Sequence, residues 1–485
     1  MSICGNSELQ DGLGCLYDEH KRRRSTCLRQ RRMPPTGKRG MICERRERHG
    51  KRVDNTEGVH GVTAGSKAET VSGMASGRPM PLAGIRIVDL TRVMTGPYAT
   101  MMLGDLGADV VKVEQPGKGD DTRQWGPPFI DGESSYFLTV NRNKRSIALD
   151  LKSVGGREVL WKLIAEADVV VENFSPGTMA RLGFGQETVL ARYPSLVYAS
   201  ISGFGQSGPS GNRTAYDLIV QGMSGMMSVT GQESGMPTKL GVPIADIAGG
   251  MFAAYAVMGA LFARERDPER RGQYVDTSML GGQIALLTYQ AGIWFTTNEV
   301  PRMLGNRHPI ITPYDTFPTA DGFVNIAVGN DAIWLRFCTA LGLDAARDDP
   351  RFRTNADRCA HRAEVYAVVN TAFASWTCDD LVRLLDNASV PCGPIRDIDQ
   401  VFADPQVHHE NLIMNLPHAT LGEVTVTGHP YHFHGTPLEV QHGPPVLGQQ
   451  SEEILRELGY DDAGIAGLSA SGAVVQASLS RGDIS

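Results

Sequence analysis

The chain contains no P-loop, and its first strand-to-helix turn, Thr91-Arg92-Val93-Met94-Thr95-Gly96-Pro97, is not a G-x-G-x-x-G loop. These are the glycine-rich phosphate cradles of dinucleotide and nucleoside triphosphate sites, so nicotinamide and ATP chemistry are not expected. Cys-x-x-Cys pairs are missing, and no Cys/His cluster has zinc spacing. The eight cysteines are scattered: Cys4, Cys15, Cys27 and Cys43 in the first fifty residues, Cys338, Cys359, Cys378 and Cys392 far beyond. They imply neither a disulfide framework nor a metal site, and they suit a reducing compartment. The N-terminal segment lacks the apolar core of a secretory signal, and its acidic residues fit a mitochondrial presequence badly. A cytoplasmic location is expected ahead of the mitochondrial matrix. The longest apolar run, residues 244–263, approaches the roughly 20 residues of a membrane span. It contains Asp246 and several glycines and ends in Arg264-Glu265-Arg266-Asp267, which predicts a buried core helix and no membrane.

Charge is uneven. Residues 1–80 hold 16 Lys/Arg against 9 Asp/Glu, a net +7, which leaves −14 on residues 81–485 of a chain whose total is −7. An acidic body cannot neutralise phosphates along a duplex, so nucleic acid is not an expected partner. Residues 1–79 mix Arg and Lys with Pro, Gly, Glu and Asp and have no periodic apolar pattern; a disordered tail is expected, with Met74 and Met80 as alternative starts.

From Pro81 onward short β-branched runs alternate with amphipathic segments. Strands are expected at Ile85–Leu90, Asp109–Glu114, Ser146–Asp150, Asp168–Val171 and Leu196–Ile201, with helices such as Tyr98–Leu106 and Gly155–Ala167 between them. The pattern predicts an α/β fold with a parallel, Rossmann-like sheet, whose ligands bind beyond the carboxyl ends of the strands. A large first part (80–302) is followed by a smaller α+β region (303–400). The latter has a hairpin over Thr316–Val328 with an Asp321-Gly322 turn and helices at Ala332–Leu341 and Ala363–Leu385. Residues 401–462 return to the large part, with a strand at Gly422–Thr427 and a helix at Ser451–Leu458. Residues 463–485, rich in Ala, Ser and Gly, are expected to fray.

The residue that stands out is Asp246, in Gly241-Val242-Pro243-Ile244-Ala245-Asp246-Ile247-Ala248-Gly249-Gly250. A carboxylate there sits where a turn enters a helix, whose positive end favours its ionised form, and the glycines permit close approach. It reads either as a helix N-cap or as a reactive group. Asp217, in Tyr216-Asp217, is a second carboxylate that could meet it. The basic cluster Asn141-Arg142-Asn143-Lys144-Arg145, Lys152 and Arg181 are candidate phosphate contacts, or else solvated surface charge.

Taken in order, a set of segments carries a resemblance: Leu82–Thr91, Leu103–Glu114, Asn143–Ile147, Val171–Phe174, the Asp246 segment, Gly272–Asp276, Val390–Pro394 and Val446–Gln449. From Pro81 to about Leu458 the chain resembles the family III CoA-transferases, the carnitine and bile-acid CoA-transferase group. The run Asp120–Pro128, with Tyr136 and Val140–Lys144, is most similar to the branch acting on succinyl-CoA and glutarate. The resemblance implies an interlocked, ring-like homodimer. It implies CoA contacts at Val93, Met94, Lys112, Leu149, Asp150, Leu151, Lys152, Asn173, Phe174, Ser175, Arg181, Thr214, Ala215, Tyr216 and Asp217. Gln115 stands where formyl-CoA members carry Arg, which puts a phosphate contact there in doubt.

By the same resemblance Asp246 is the nucleophile. Its carboxylate attacks a donor acyl-CoA to give an aspartyl anhydride and CoA thiolate, and then an aspartyl-CoA thioester that an acceptor acid reverses. The thioester energy is conserved, so ATP and metal are not required. Donor and acceptor are expected to be dicarboxylic acids, with Arg307 and His308 meeting the distal carboxylate. Backbone N–H groups near Gly249 and Gly250 are candidates to stabilise the oxyanions. Racemases of the family place a His before the Asp matching Asp217; here Tyr216 fills that slot, and a phenol with pKa near 10 carries protons poorly at neutral pH. An α-methylacyl-CoA racemase, or a CoA-binding protein without turnover, is the alternative.

Overall fold

A computed structural model describes residues 78–477. Most of the expected basic tail, with its four cysteines, lies outside the described residues, as do 478–485. The elements that build the central sheet are β1 (Arg86–Asp89), α1 (Thr95–Asp105), β2 (Asp109–Glu114), β3 (Lys144–Leu149), α2 (Val154–Ala165), β4 (Val169–Glu172) and β5 (Val197–Ser202). They continue with α3 (Asp217–Met223), α4 (Ile244–Arg266), β6 (Tyr274–Ser278), α5 (Met279–Leu286) and α6 (Thr288–Thr297). Strand order is β3-β2-β1-β4-β5-β6, all parallel. Successive strands build outward from β1 in one direction and then, after β3, in the other. The switch falls between β1 and β4, the place where doubly wound sheets open a crevice for ligands.

Alternation along the strands supplies two cores. Val88, Val111, Ile147 and Val170 face one layer with α2; Ile87, Val110, Val169 and Ala199 face the other with α1 and α4. Covered on both faces, these strands read as nearly continuous apolar runs. The exceptions are charged residues that the fold pairs internally. Lys144 lies 3.1 Å from Asp89, Lys112 3.0 Å from Asp120, and Arg142 2.6 Å from Asp105, all buried. Arg145 reaches Asp109, Glu453 and Glu457. The basic cluster at 141–145 is therefore neither a phosphate contact nor solvated surface. It lies in and before an interior strand, and its charges are matched by carboxylates on neighbouring elements.

Beyond α6 a separate antiparallel sheet joins β7 (Tyr314–Pro318), β8 (Phe323–Ala327) and β9 (Cys392–Pro394). Its own core includes Phe317, Trp334, Phe337, Phe373 and Leu385. The expected Ala363–Leu385 helix is two helices, Arg362–Phe373 and Cys378–Asn387, because Thr377 caps the second through the N–H of Asp380. A hairpin of β10 (Ile413–His418) and β11 (Gly422–Thr427) follows, and the chain then rejoins the parallel sheet: Gln450 donates to the Ser146 carbonyl at 3.0 Å.

The region expected to fray is ordered through residue 477. Asp461 caps a helix at Asp462–Ala470. Then β12 (Val474–Val475) pairs antiparallel with β3 at its edge, with Ile465 and Val474 buried. Small residues there fit a tight turn against the sheet, which composition alone reads as looseness. The long apolar helix α4 also differs from expectation. It packs on α1, α3, α5 and the sheet, while Met251, Phe252, Tyr255 and Phe262 are exposed.

Candidate active site

The turn after β1 and the turn after β4 are tied together at the switch point. Asn173 accepts from the Arg92 N–H at 2.9 Å and donates to the Arg92 carbonyl at 2.8 Å. Next in the first turn, Val93 has φ 73°, a region that β-branched residues rarely enter. Its N–H is held by the Asp120 carboxylate at 3.1 Å. Lys112 donates to Asp120 at 3.0 Å and to the Thr91 carbonyl at 2.9 Å. Lys112 borders a neighbouring cavity, but it is fully buried and already committed to fixing the carboxylate that shapes the turn.

A cavity of about 280 Å³ opens here. Asp246 and Thr95 lie on one side, Asn173, Phe174 and Ser175 on another, and the loop Gly211–Tyr216 closes it. A second cavity of about 220 Å³ is lined by Leu149, Asp150, Leu151 and Lys152, with Gln115 and Lys118 opposite. Arg92, Asp121 and Phe174 line both, so the two adjoin. Together they offer a carboxylate at one end and basic side chains at the other, a layout suited to an extended anionic ligand.

Asp246 stands in the first turn of α4 but does not cap it; the cap position is Pro243. Asp217, the first residue of α3, does that work from a distance by accepting from the Ala245 N–H at 2.8 Å. The Thr95 hydroxyl donates to Asp246 Oδ1. The Asp246 carboxyl is pushed up to about 6. Burial is the largest cause; the Thr95 hydrogen bond pulls the other way, and the charge on Asp217 adds to the rise. The helix terminus, expected to favour ionisation, is outweighed by desolvation. Burial, with the charges of Asp246 and Asp217, lifts the Tyr136 phenol to about 12, so it remains a neutral donor.

Gly249 and Gly250 lie inside α4, past the first-turn N–H groups that a helix leaves unpaired. They are not oxyanion donors. A Cβ on Gly249 would sit 2.9 Å from Thr95 Cγ2, and one on Gly250 2.6 Å from the Thr95 carbonyl oxygen. Their role is to let α1 approach.

Of the remaining expected contacts, Val93, Thr214, Ala215 and Tyr216 line the first cavity. Met94 does not: it is buried as the residue before α1. Arg181 is exposed, donates to Thr178 and lines neither cavity. Arg307 pairs with Glu233 at 2.7 Å. His308 lies between Tyr289 and Tyr314, its ring pushed down by burial and by Arg362. Neither residue lines the Asp246 cavity. Sequence reasoning missed Thr95, Arg92, Arg213 and Lys118. Thr95 opens α1, and a Thr at the start of a helix, ahead of Gly96-Pro97, is a recognisable entry signal.

Comparison with known proteins bears on the family and the fold. The mouse (Mus musculus) succinyl-CoA:glutarate CoA-transferase is 41% identical over 412 residues, covering 83% of this chain and 94% of that protein. The succinate–glutarate CoA-transferase of Agrobacterium fabrum is 43% identical over 387 residues, covering 79% and 96%. The crystal structure of a CAIB/BAIF family protein from Brucella suis superposes with a TM-score of 0.70 at 39% identity, covering 79% of this chain and all of that one. The model for CoA-transferase family III matches residues 82–451. With its α/β fold, its mostly parallel central sheet and these relatives, the chain belongs to CoA-transferase family III.

Proposed function

We propose that this protein moves CoA from succinyl-CoA to a dicarboxylic acid of about glutarate's size, with Asp246 as the covalent carrier. The observation that carries the reading is a carboxylate with no ion-pair partner among the described residues, facing a cavity at the switch point of the sheet. The names of its relatives supply the substrates.

One Asp246 oxygen attacks the thioester carbonyl and CoA leaves as thiolate, so the aspartyl group becomes one half of an anhydride. Thiolate then attacks Cγ of Asp246, and the donor acid departs as carboxylate. The acceptor carboxylate attacks the resulting thioester, and returning thiolate releases the new acyl-CoA. Each step exchanges one anion for another, so no general acid is required. Asn173, Phe174, Ser175 and Thr214–Tyr216 flank the pantetheine path, and Arg92, Lys118 and Lys152 lie where phosphates would run.

The test is direct: the protein is incubated with succinyl-CoA, quenched, digested and weighed. A CoA adduct on the Asp246 peptide is expected, together with transfer to glutarate. Neither should occur in Asp246→Asn; transfer by that variant at the native rate would refute the reading.

We also propose that a second copy covers the exposed apolar face of α4 and α6, which includes Phe252, Tyr255, Trp294 and Phe295, in an interlocked homodimer. Light scattering should give twice the chain mass, and a monomer at micromolar concentration would exclude it.

A further inference from the structure

We propose that Thr95 is a catalytic residue whose hydroxyl takes up the negative charge on the Asp246 carbonyl oxygen when CoA thiolate attacks the aspartyl group. This rests on the covalent reading above and adds a role that only the tertiary structure makes visible.

A carboxylate that serves as carrier has two unlike oxygens. Thr95 Oγ1 donates to Oδ1, so Oδ2 is the oxygen left to form the bond with the substrate acyl group. In the anhydride Oδ2 is the bridge, and Oδ1 is the carbonyl oxygen of the aspartyl half, still facing Thr95. The thiolate sulfur then attacks Cγ. A C–S bond forms and the carbonyl π pair moves onto Oδ1. Collapse breaks the Cγ–Oδ2 bond, and the free acid leaves as carboxylate carrying Oδ2. One anion enters, one leaves, and no proton moves. Attack of the acceptor carboxylate on the aspartyl thioester passes through the same kind of oxyanion and expels thiolate. Two of the four covalent steps therefore occur on the protein's own carbonyl carbon. A donor anchored to the protein serves both, whichever acid is bound. The hydrogen bond strengthens as a neutral carbonyl becomes an alkoxide, which is the condition for accelerating the step.

The packing holds Thr95 for this role. It is buried and is the first residue of α1, so no earlier helical carbonyl lies behind it to capture its hydroxyl. Its methyl faces Gly249, where a Cβ would lie 2.9 Å from Cγ2, and its carbonyl faces Gly250, where a Cβ would lie 2.6 Å away. Two consecutive glycines in a long helix cost stability. Here they bring the amino ends of α1 and α4 together at the two groups that must touch. Gly249 and Gly250 thus contribute to the oxyanion site through Thr95, and not through their own N–H groups.

The test compares Thr95→Val, which keeps the shape and removes the donor, with Thr95→Ser, which keeps the donor. Rapid-quench mass spectrometry with succinyl-CoA reads the rate at which the Asp246 peptide gains CoA; steady-state assays read kcat and KM. Thr95→Val should lose about 10²-fold in kcat, with KM for succinyl-CoA within about threefold. Thr95→Ser should recover to within about tenfold of the native rate. If Thr95→Val does not fold, Thr95→Ala takes its place. A native rate of CoA labelling in Thr95→Val, beside normal labelling of the native protein, would overturn the Thr95 role alone. So would equal losses in the Val and Ser variants that follow a common fall in melting temperature. Absence of any CoA adduct in the native protein would remove the covalent reading and this role with it.

Discussion

Asp89 is fully buried and Asp246 is half-buried at a cavity wall, and both accept from threonines of the same helix: Thr100 bonds the first, Thr95 the second. Their acidities diverge. For Asp89, burial alone would raise the pKa, but Lys144 at 3.1 Å and Lys112 beyond it outweigh that and hold it at about 2. Among the described residues Asp246 has no ion-pair partner, only the like charge of Asp217 nearby, and it is lifted to about 6. Burial is common to both, so the counter-charge decides. A carboxylate held by two buried lysines is framework; one left without a counter-charge at a cavity wall is available for chemistry.

The sharpest way to test that contrast is Asp246→Asn. Transfer should fall by about 10⁴-fold or more, while the fold gains. A carboxyl whose folded pKa lies above its ordinary value supports the fold when protonated. That support is full below about 3.8 and is lost as pH rises through about 6. At pH 7 the ionised group therefore costs on the order of 3 kcal/mol relative to acid conditions. The variant should melt higher than the native protein at pH 7.5, and the gap should narrow at pH 4.5. A lower melting temperature at pH 7.5 would break the comparison.

Asp89→Asn should do the reverse. Its contribution is present above about 3.8 and is lost only as pH falls through about 2. Removing it leaves Lys144, itself pushed down to about 8 chiefly by burial, without its nearest carboxylate. The expected loss is about 3–5 kcal/mol, read as a fall in urea midpoint. Activity per folded molecule should change little.

The smallest effect is expected from Asp217→Asn. Asn still accepts from the Ala245 N–H but no longer repels the Asp246 charge. Activity should appear as pH rises through about 6 in the native enzyme, and the acid limb of kcat/KM should move to lower pH in the variant. An unmoved limb would mean that Asp217 acts only as a cap.

Much of this was legible in the residues themselves. Alternating β-branched runs mark the parallel strands because both of their faces are covered, and the Asp321-Gly322 turn marks its hairpin. Asp246 stands out as a carboxylate at the entry to an apolar run, where the residues alone leave cap and reactive group open and only the family resemblance favours the second. The C-terminal strand β12 was not, since two residues at a sheet edge carry almost no periodicity. Lys112 and Arg142–Arg145 misled because a one-dimensional cluster of cations looks the same whether its partners are phosphates or carboxylates 37 residues away, as Asp105 is from Arg142.

The order of strands and helices, the two apolar faces and the place of Asp246 at a helix entry follow from local patterning, which depends on side chains a few residues apart. What only the tertiary structure decided is which charges cancel and which remain. Asp120 bonds Lys112, Asp217 caps a helix 28 residues on, and Thr95 reaches Asp246 across 151 residues of chain. Electrostatic interactions at 3 Å depend on distance in space, and sequence separation carries no trace of that distance.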